Sequence, residues 1–324
     1  MQRTPTIPGR LRLLTGAAIL TLCAQFAFAG AITDTTAEVP EDLFNVDLSQ
    51  DLLDRIATAL PEGSAIGQSF LDPRYSPNLL VSQDAQISVT AIDEGAGYRN
   101  AFGYFTYATR ALDGLSKGDI DANADGNISL EELQGAAPVA ADWVFPNFSM
   151  SGKGGQLDAG DSLWLGNGRI FEAGSTVGFF LVQDAWEGGS TDLGHQTFFS
   201  LDFLNPEAGA DATIGSAAAA SLARHTAALF ADDTQSEIIF GFEDLNRADR
   251  FANINSLISD EDFNDAIFLV RSNPIEALRG TNIPTAVVYG PLGAPGVLSV
   301  AALVWLSRNR RFGRADRQRE ALAR

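Results

Sequence analysis

From residue 79 to about residue 272 the chain consists of short runs of Val, Ile, Phe, Tyr and Thr, broken every few residues by Gly, Asn, Asp and Pro. β-Branched and aromatic side chains suit a pleated, half-buried surface, and the punctuating residues favour tight turns over continued helix. Residues 86–92, 101–107, 176–182, 196–203 and 237–242 read as strands. Short strands with frequent turn signals predict a mainly β fold, a β-sandwich or jelly-roll-like domain. Nothing repeats at a fixed period. Two stretches read differently. Residues 41–60 place Leu43, Val46, Leu48, Leu52, Leu53, Ile56 and Leu60 at near-helical spacing before Pro61-Glu62-Gly63, which predicts a short amphipathic helix. The alanine-rich residues 217–228 read as a second short helix.

The two ends do not read as fold. Arg3, Arg10 and Arg12 precede an apolar run that ends Ala27-Phe28-Ala29, the pattern of a secretory signal over residues 1–29. The single cysteine, Cys23, lies inside it, so the exported part has no thiol with which to form a disulfide. No charged residue occurs from Gly280 to Ser307, and seven arginines come after it. An apolar stretch of about 20 residues can cross a bilayer, and basic residues beyond it stay cytoplasmic. Residues 281–307 are therefore expected to form a transmembrane or sorting helix, with 308–324 as a basic cytoplasmic tail. Between the ends, the chain divides into a lead-in with the amphipathic helix (30–80), a β region (84–169) and a further β domain (170–280).

Without its ends the chain has 12 Lys and Arg against 39 Asp and Glu, a net charge of −27. Such a surface repels nucleic acid and anionic lipid and attracts cations. The acids are also clustered. Residues 121–132, Asp-Ala-Asn-Ala-Asp-Gly-Asn-Ile-Ser-Leu-Glu-Glu, match a twelve-residue EF-hand loop position by position. Calcium would take oxygens from the side chains of Asp121, Asn123 and Asp125, the carbonyl of Asn127, Ser129 directly or through water, and a bidentate Glu132. Gly126 stands where the loop must turn sharply, and Ile128 where it is tied to the core. Calcium suits the set because it accepts six to eight oxygens in loose geometry. Gly114 and Gly118 interrupt the incoming segment, so an isolated calcium loop inside a β protein is expected, not a paired sensor. The alternative is an acidic turn without metal.

A second cluster joins Glu243 and Asp244 to Asp260, Asp262, Asn264 and Asp265. Carboxylates gathered at one loop mouth repel unless a cation or protons sit among them. The two readings are a second calcium site and a pair of solvated acidic turns. Here the chain resembles a bacterial family called domain of unknown function 4114. Phe240-Gly241-Phe242-Glu243-Asp244-Leu245, then Ser259-Asp260-Glu261-Asp262-Phe263-Asn264-Asp265 and an apolar strand, carry both halves of its signature. Residues 173–182 are similar to its upstream glycine-Thr strand. The likeness is close over residues 170–272, and residues 84–169 look like an extension that accompanies the domain. It implies a secreted or surface β domain that binds calcium and has no established reaction. Residues 247–257 lengthen the gap between the halves, which leaves open whether both meet at one ion.

The C-terminus resembles a PEP-CTERM type of sorting signal, with Ile283-Pro284-Thr285 in the motif's place and the Pro-Glu-Pro itself absent. Enzyme signals are thin. His195 and His225 are far apart, no Gly-x-Ser-x-Gly elbow occurs, and Lys153 lacks the spacing of a phosphate loop. The expected function is that of an exported, envelope- or surface-associated calcium-binding protein in adhesion, matrix or scaffolding, not an enzyme. Its partners would be calcium, surface proteins or extracellular polysaccharide, and the membrane through the C-terminal helix. The alternative is a carbohydrate-binding module or glycosidase-like protein, with Trp143, Trp164 and Trp186 stacking on sugars.

Overall fold

A computed structural model describes residues 31–67, 69–216 and 222–286. Thirteen strands are defined among them: β1 (Phe44–Asn45), β2 (Leu79–Leu80), β3 (Gln86–Asp93), β4 (Ala101–Ala108), β5 (Ala140–Phe145), β6 (Asp161–Trp164), β7 (Ser175–Val182), β8 (Trp186–Glu187), β9 (Ser190–Thr191), β10 (Thr197–Phe199), β11 (Thr226–Phe230), β12 (Ile238–Phe242) and β13 (Ala266–Asn273). The fold is mainly β and its strands pair antiparallel. One sheet runs β1-β6-β3-β13-β12-β11. The other runs β10-β7-β4-β5, with β2 also on β7. β8 and β9 form a separate hairpin. The stretches 84–169 and 170–280 contribute to the same two sheets, since β3 lies between β6 and β13, and β4 beside β7.

The sheets pack face to face through alternate residues. Ile87, Val89 and Ala91 of β3, Phe240 and Phe242 of β12, and Phe268 and Val270 of β13 meet Phe102 of β4 and Val177, Phe179 and Leu181 of β7. Phenylalanine rings form the centre: Phe102 lies 4.4 Å from Phe268, and Phe179 lies 5.0 Å from Phe268 and 5.1 Å from Phe240 between ring centroids. Aromatic side chains bury much apolar area each and interlock at these spacings.

Both outer faces are covered as well. Helix α1 (Gln50–Ala59) lays Leu52 and Ile56 over Leu229, Ile239 and Leu269 of the first sheet. On the second sheet, Leu112, Ile120, Ile128 and Leu133 cover Phe105, Tyr107, Phe180 and Phe199. This double cover is why β7, β11 and β12 are buried at every residue and why their sequences do not alternate.

Several expectations change. The helix expected over 41–60 starts only at Gln50, because Ser49 caps it by accepting the Leu52 N–H, while Phe44 and Asn45 pair with β6 instead. In the run 196–203 only Thr197–Phe199 is strand. The Asn205 side chain then accepts from the Phe199 N–H (2.6 Å) and donates to its carbonyl (2.8 Å), in place of a neighbouring strand. Within the alanine-rich stretch, Thr226–Phe230 is strand β11, paired along its whole length with β12, so tertiary pairing overrides alanine's helical preference. Residues 281–286 are not helical: Phe230 donates to the Pro284 carbonyl and Ala286 to that of Phe230, which lays this piece against the edge of β11. The rest of the expected membrane segment, the basic tail and the signal lie outside the described residues. Among those described, no helix is long and apolar enough to cross a membrane.

On the outer face of the second sheet, glycine makes room for aromatics. A Cβ on Gly103 would lie 2.1 Å from the Phe180 ring, and one on Gly178 would lie 2.3 Å from the Phe105 ring. Gly103 pairs with Phe180 and Phe105 with Gly178, so each glycine admits the ring from across the ladder. Gly103→Ala is expected to lower stability by about 1–3 kcal/mol, the usual cost of overpacking a filled core. Denaturant unfolding of the variant beside the parent chain measures it, and an unchanged midpoint would contradict the packing.

Candidate metal centres

The acidic loop 121–132 sits between two short helices, α2 (Lys117–Ile120) and α3 (Leu130–Ala136), on the outer face of the second sheet. Buried Ile120, Ile128 and Leu130 hold it there. The loop closes on itself. Asp121 accepts from the N–H groups of Asp125 (3.2 Å) and Gly126 (2.9 Å), and Asn123 from that of Asp125 (2.8 Å). Asp125 accepts from the Asn127 N–H at 2.7 Å. Glu132 Oε1 reaches back to the Ala122 N–H (3.1 Å), and its Oε2 accepts from the N–H and Oγ–H of Ser129, both at 2.9 Å. Gly126 has φ +85°, a conformation costly for any other residue type. The Asn127 side-chain oxygen is taken by Gln196 at 3.0 Å, so its carbonyl is what it has to offer an ion. Asp121, Asn123, Asp125, Ser129 and Glu132 are thus gathered around one small loop. Ser129 and Glu132 also form a capping box that starts α3, a second duty for the same pair.

The second cluster is made by a strand ladder. Phe242, last in β12, stands opposite Ala266, first in β13. The next residues, Glu243 and Asp244, must then meet the preceding one, Asp265. Asp244 N–H donates to Asp265 Oδ2 at 2.8 Å. The carboxylate oxygens of Glu243, Asp244 and Asp265 lie within 4.8 Å of one another, and so do those of Glu243, Asp260 and Asp262. Glu243 is fully buried; among the described residues no group meets either carboxylate oxygen in good hydrogen-bond geometry, and the Ser259 hydroxyl lies close enough to lower its pKa against burial. Asp262, also buried, accepts from the N–H groups of Gly63 (2.7 Å) and Asn264 (3.1 Å). Asn264 directs its amide nitrogen to Glu62 at 2.9 Å, and its carbonyl accepts from Gly95 N–H. Glu261 and Phe263 have φ of +60° and +56°. Non-glycine residues in this region cost roughly 1–3 kcal/mol each and gather at ligand-binding segments.

Parts of this site come from far along the chain and have no local signal. Buried Asn100 donates to Asp244 Oδ2 at 2.6 Å, and Gln183 to the Asp244 carbonyl at 2.6 Å. Glu94, just past β3, is buried, and its Oε2 has no partner among the described residues. His225 joins the cluster to the rest of the molecule. Its Nδ1 lies 2.8 Å from the Glu243 carbonyl, its Nε2 lies 3.1 Å from both oxygens of Glu207, whose side chain is buried, and its ring stacks on Phe198.

The electrostatics are set by burial. Exclusion of water raises Glu243, Asp244 and Asp265 above the usual carboxylate range, and the neighbouring carboxylates push Glu243 and Asp265 further. Asp262 is raised to about 6 and Glu94 to about 7, both chiefly by burial. Burial works the same way on Glu207, but His225 beside it prevails and holds its carboxyl below the ordinary value.

An acid with a raised folded pKa binds its proton more tightly in the folded state, so stability falls as pH rises from the unfolded value to the folded one. That interval runs from 3.8 to about 6 for Asp262 and from 4.5 to about 7 for Glu94. In chelator, the melting temperature should therefore drop between about pH 4 and about pH 7, and calcium, in place of the protons, should flatten the slope. A chelated melting temperature that rises across this range would contradict the buried cluster.

The family model for the domain of unknown function (DUF4114) matches residues 171–273. No curated protein and no solved structure matches the chain. The match runs from just before β7 to the end of β13, while β3, β4, β5 and β6 of the same two sheets lie outside it. The matched segment, residues 171–273, holds both acidic halves of the β12–β13 cluster.

Proposed function

We propose that this chain is an exported protein of the cell envelope or cell surface. Its sandwich binds calcium at two acidic loops, and it serves adhesion, matrix assembly or scaffolding and not catalysis. The observation that carries the reading is Glu243, a carboxylate with no exposure and, among the described residues, neither oxygen in good hydrogen-bond geometry, set among further acids. An ionised carboxylate in that position costs several kcal/mol unless a proton or cation meets it. The donors around it are all oxygen, as calcium prefers, and the loop 121–132 offers a second all-oxygen set in EF-hand order. Export is supported by the basic, apolar and small-residue order of residues 1–29, and membrane attachment by the uncharged stretch 280–307 before the arginines.

A scaffold is favoured over a sugar binder by where the tryptophans sit. Trp186 is buried. Trp143 packs against Phe180 at 5.6 Å, with its N–H on the Thr33 carbonyl. Trp164 stacks on Phe44 at 6.0 Å. The histidines are likewise engaged with backbone carbonyls of Gln183 and Glu243.

Calcium that binds only the folded state adds about 2.7 kcal/mol per site at a hundredfold excess over Kd. Chelation should lower the melting temperature and millimolar calcium restore it; no shift in scanning calorimetry would refute a structural ion. Glu132→Gln should weaken calcium binding at the first loop by roughly tenfold or more and Ser129→Ala by less, because only the first removes a bidentate charged ligand. Equal effects in titration calorimetry would contradict the register. For the anchor, the chain should be cut after Ala286 and not at Gly280, since residues 283–286 belong to the edge of β11. That truncation should move the protein from the membrane fraction to the soluble fraction; persistent membrane association would exclude the C-terminal anchor.

A further inference from the structure

We infer that the β12–β13 cluster holds two cations, not one, and that Glu243 bridges them. The inference rests on the reading of this cluster as a cation site. The acids fall into two separate trios, and Glu243 alone belongs to both. An ion bound at about 2.3–2.6 Å keeps its ligand oxygens within about 5 Å of each other. In each trio one carboxylate oxygen per residue lies within 4.8 Å of the others, and no such set among the described residues joins all five. Asp260 and Asp262 thus gather about one position and Asp244 and Asp265 about another, with Glu243 common to both.

The two positions differ in character. Asp260 and Asp262 belong to the segment that leads into β13; Asp260 is exposed, so this position opens to solvent. Asp262 is fixed there by the Gly63 N–H. Asp244, buried, and Asp265, half-buried, lie at the ends of the paired strands, with Asn100 orienting Asp244. Between them stands Glu243, buried, with neither oxygen held in good hydrogen-bond geometry among the described residues and the Ser259 hydroxyl nearby. A bridging carboxylate needs one oxygen free to face each metal. Charge points the same way. Five ionised carboxylates carry −5; one divalent ion leaves −3 in a largely buried pocket, whereas two leave −1.

The test is the number of calcium ions per chain. The full chain is stripped with chelator, reloaded with calcium alone, desalted and analysed for metal, with calorimetry as a second count. Asp121→Asn with Glu132→Gln removes the first loop from the count. In that background two ions are expected, falling to one in Asp260→Asn, to one in Asp265→Asn, and to none in Glu243→Gln. One ion in the background, or two that neither aspartate variant reduces, overturns the bridge and leaves the cluster a cation site of another kind. No ion in the background overturns the cation reading itself. Circular dichroism checks that each variant folds. If Glu243→Gln does not fold, the two aspartate variants decide the matter alone.

Discussion

The pairing of Phe242 with Ala266 is the contact on which the rest of this molecule depends. It is one rung of a ladder held by Phe240, Phe242 and Phe268 in the centre of the sandwich. The register of that ladder dictates which residues meet just beyond it: Glu243 and Asp244 on one side and Asp265 on the other. Apolar burial drives the strands together, and acids are carried into a largely buried place, Glu243 and Asp244 fully and Asp265 in part. The cluster is a consequence of core packing and stores the repulsion that a proton or cation relieves.

The acidic loop on the second sheet and the cluster at the sheet ends are physically continuous. Lys117, buried in the turn before the loop, donates to the carbonyls of Asn205 (2.8 Å), Pro206 (3.2 Å) and Ala208 (3.1 Å). Burial lowers its pKa, and Asp121, Glu207 and Asp125 oppose the shift. The turn it holds carries Glu207, which meets His225, which meets the Glu243 carbonyl. Asn205 in the same turn ties β10 to Ala223. Each buried polar group along this line has a partner, as a low-dielectric interior requires. The line ends at Glu243, whose carboxylate has none in good hydrogen-bond geometry among the described residues.

The layering explains how so acidic a chain keeps a large core without disulfides. Helix α1 covers one outer face, and the segment with the acidic loop 121–132 covers the other. Neither cover stands alone: α1 has ten residues, and α2 and α3 have four and seven, too short to be stable unless packed. They are held by the sheets they cover. The family segment 171–273 likewise has no complete sandwich of its own, because β3 and β4 from outside it fill the middle of both sheets.

Local chemistry is what the sequence alone could reveal. The β-rich grammar placed β3, β4, β7 and β12 to within a residue or so, because β-branched and aromatic runs bounded by turn residues have few other solutions. The loop 121–132 was legible for the same reason: ligand, turn and anchor positions are contiguous. The acids of the second cluster were visible as two separate halves. Tertiary structure alone decided that they meet, since the register of β12 on β13 is set by packing and not by the acids. It also decided that alanine-rich β11 is a strand, that α1 begins at Gln50, and that Glu94, Asn100, Gln183 and His225 surround the site. Those residues are distant in the chain, and only long-range burial brings them together.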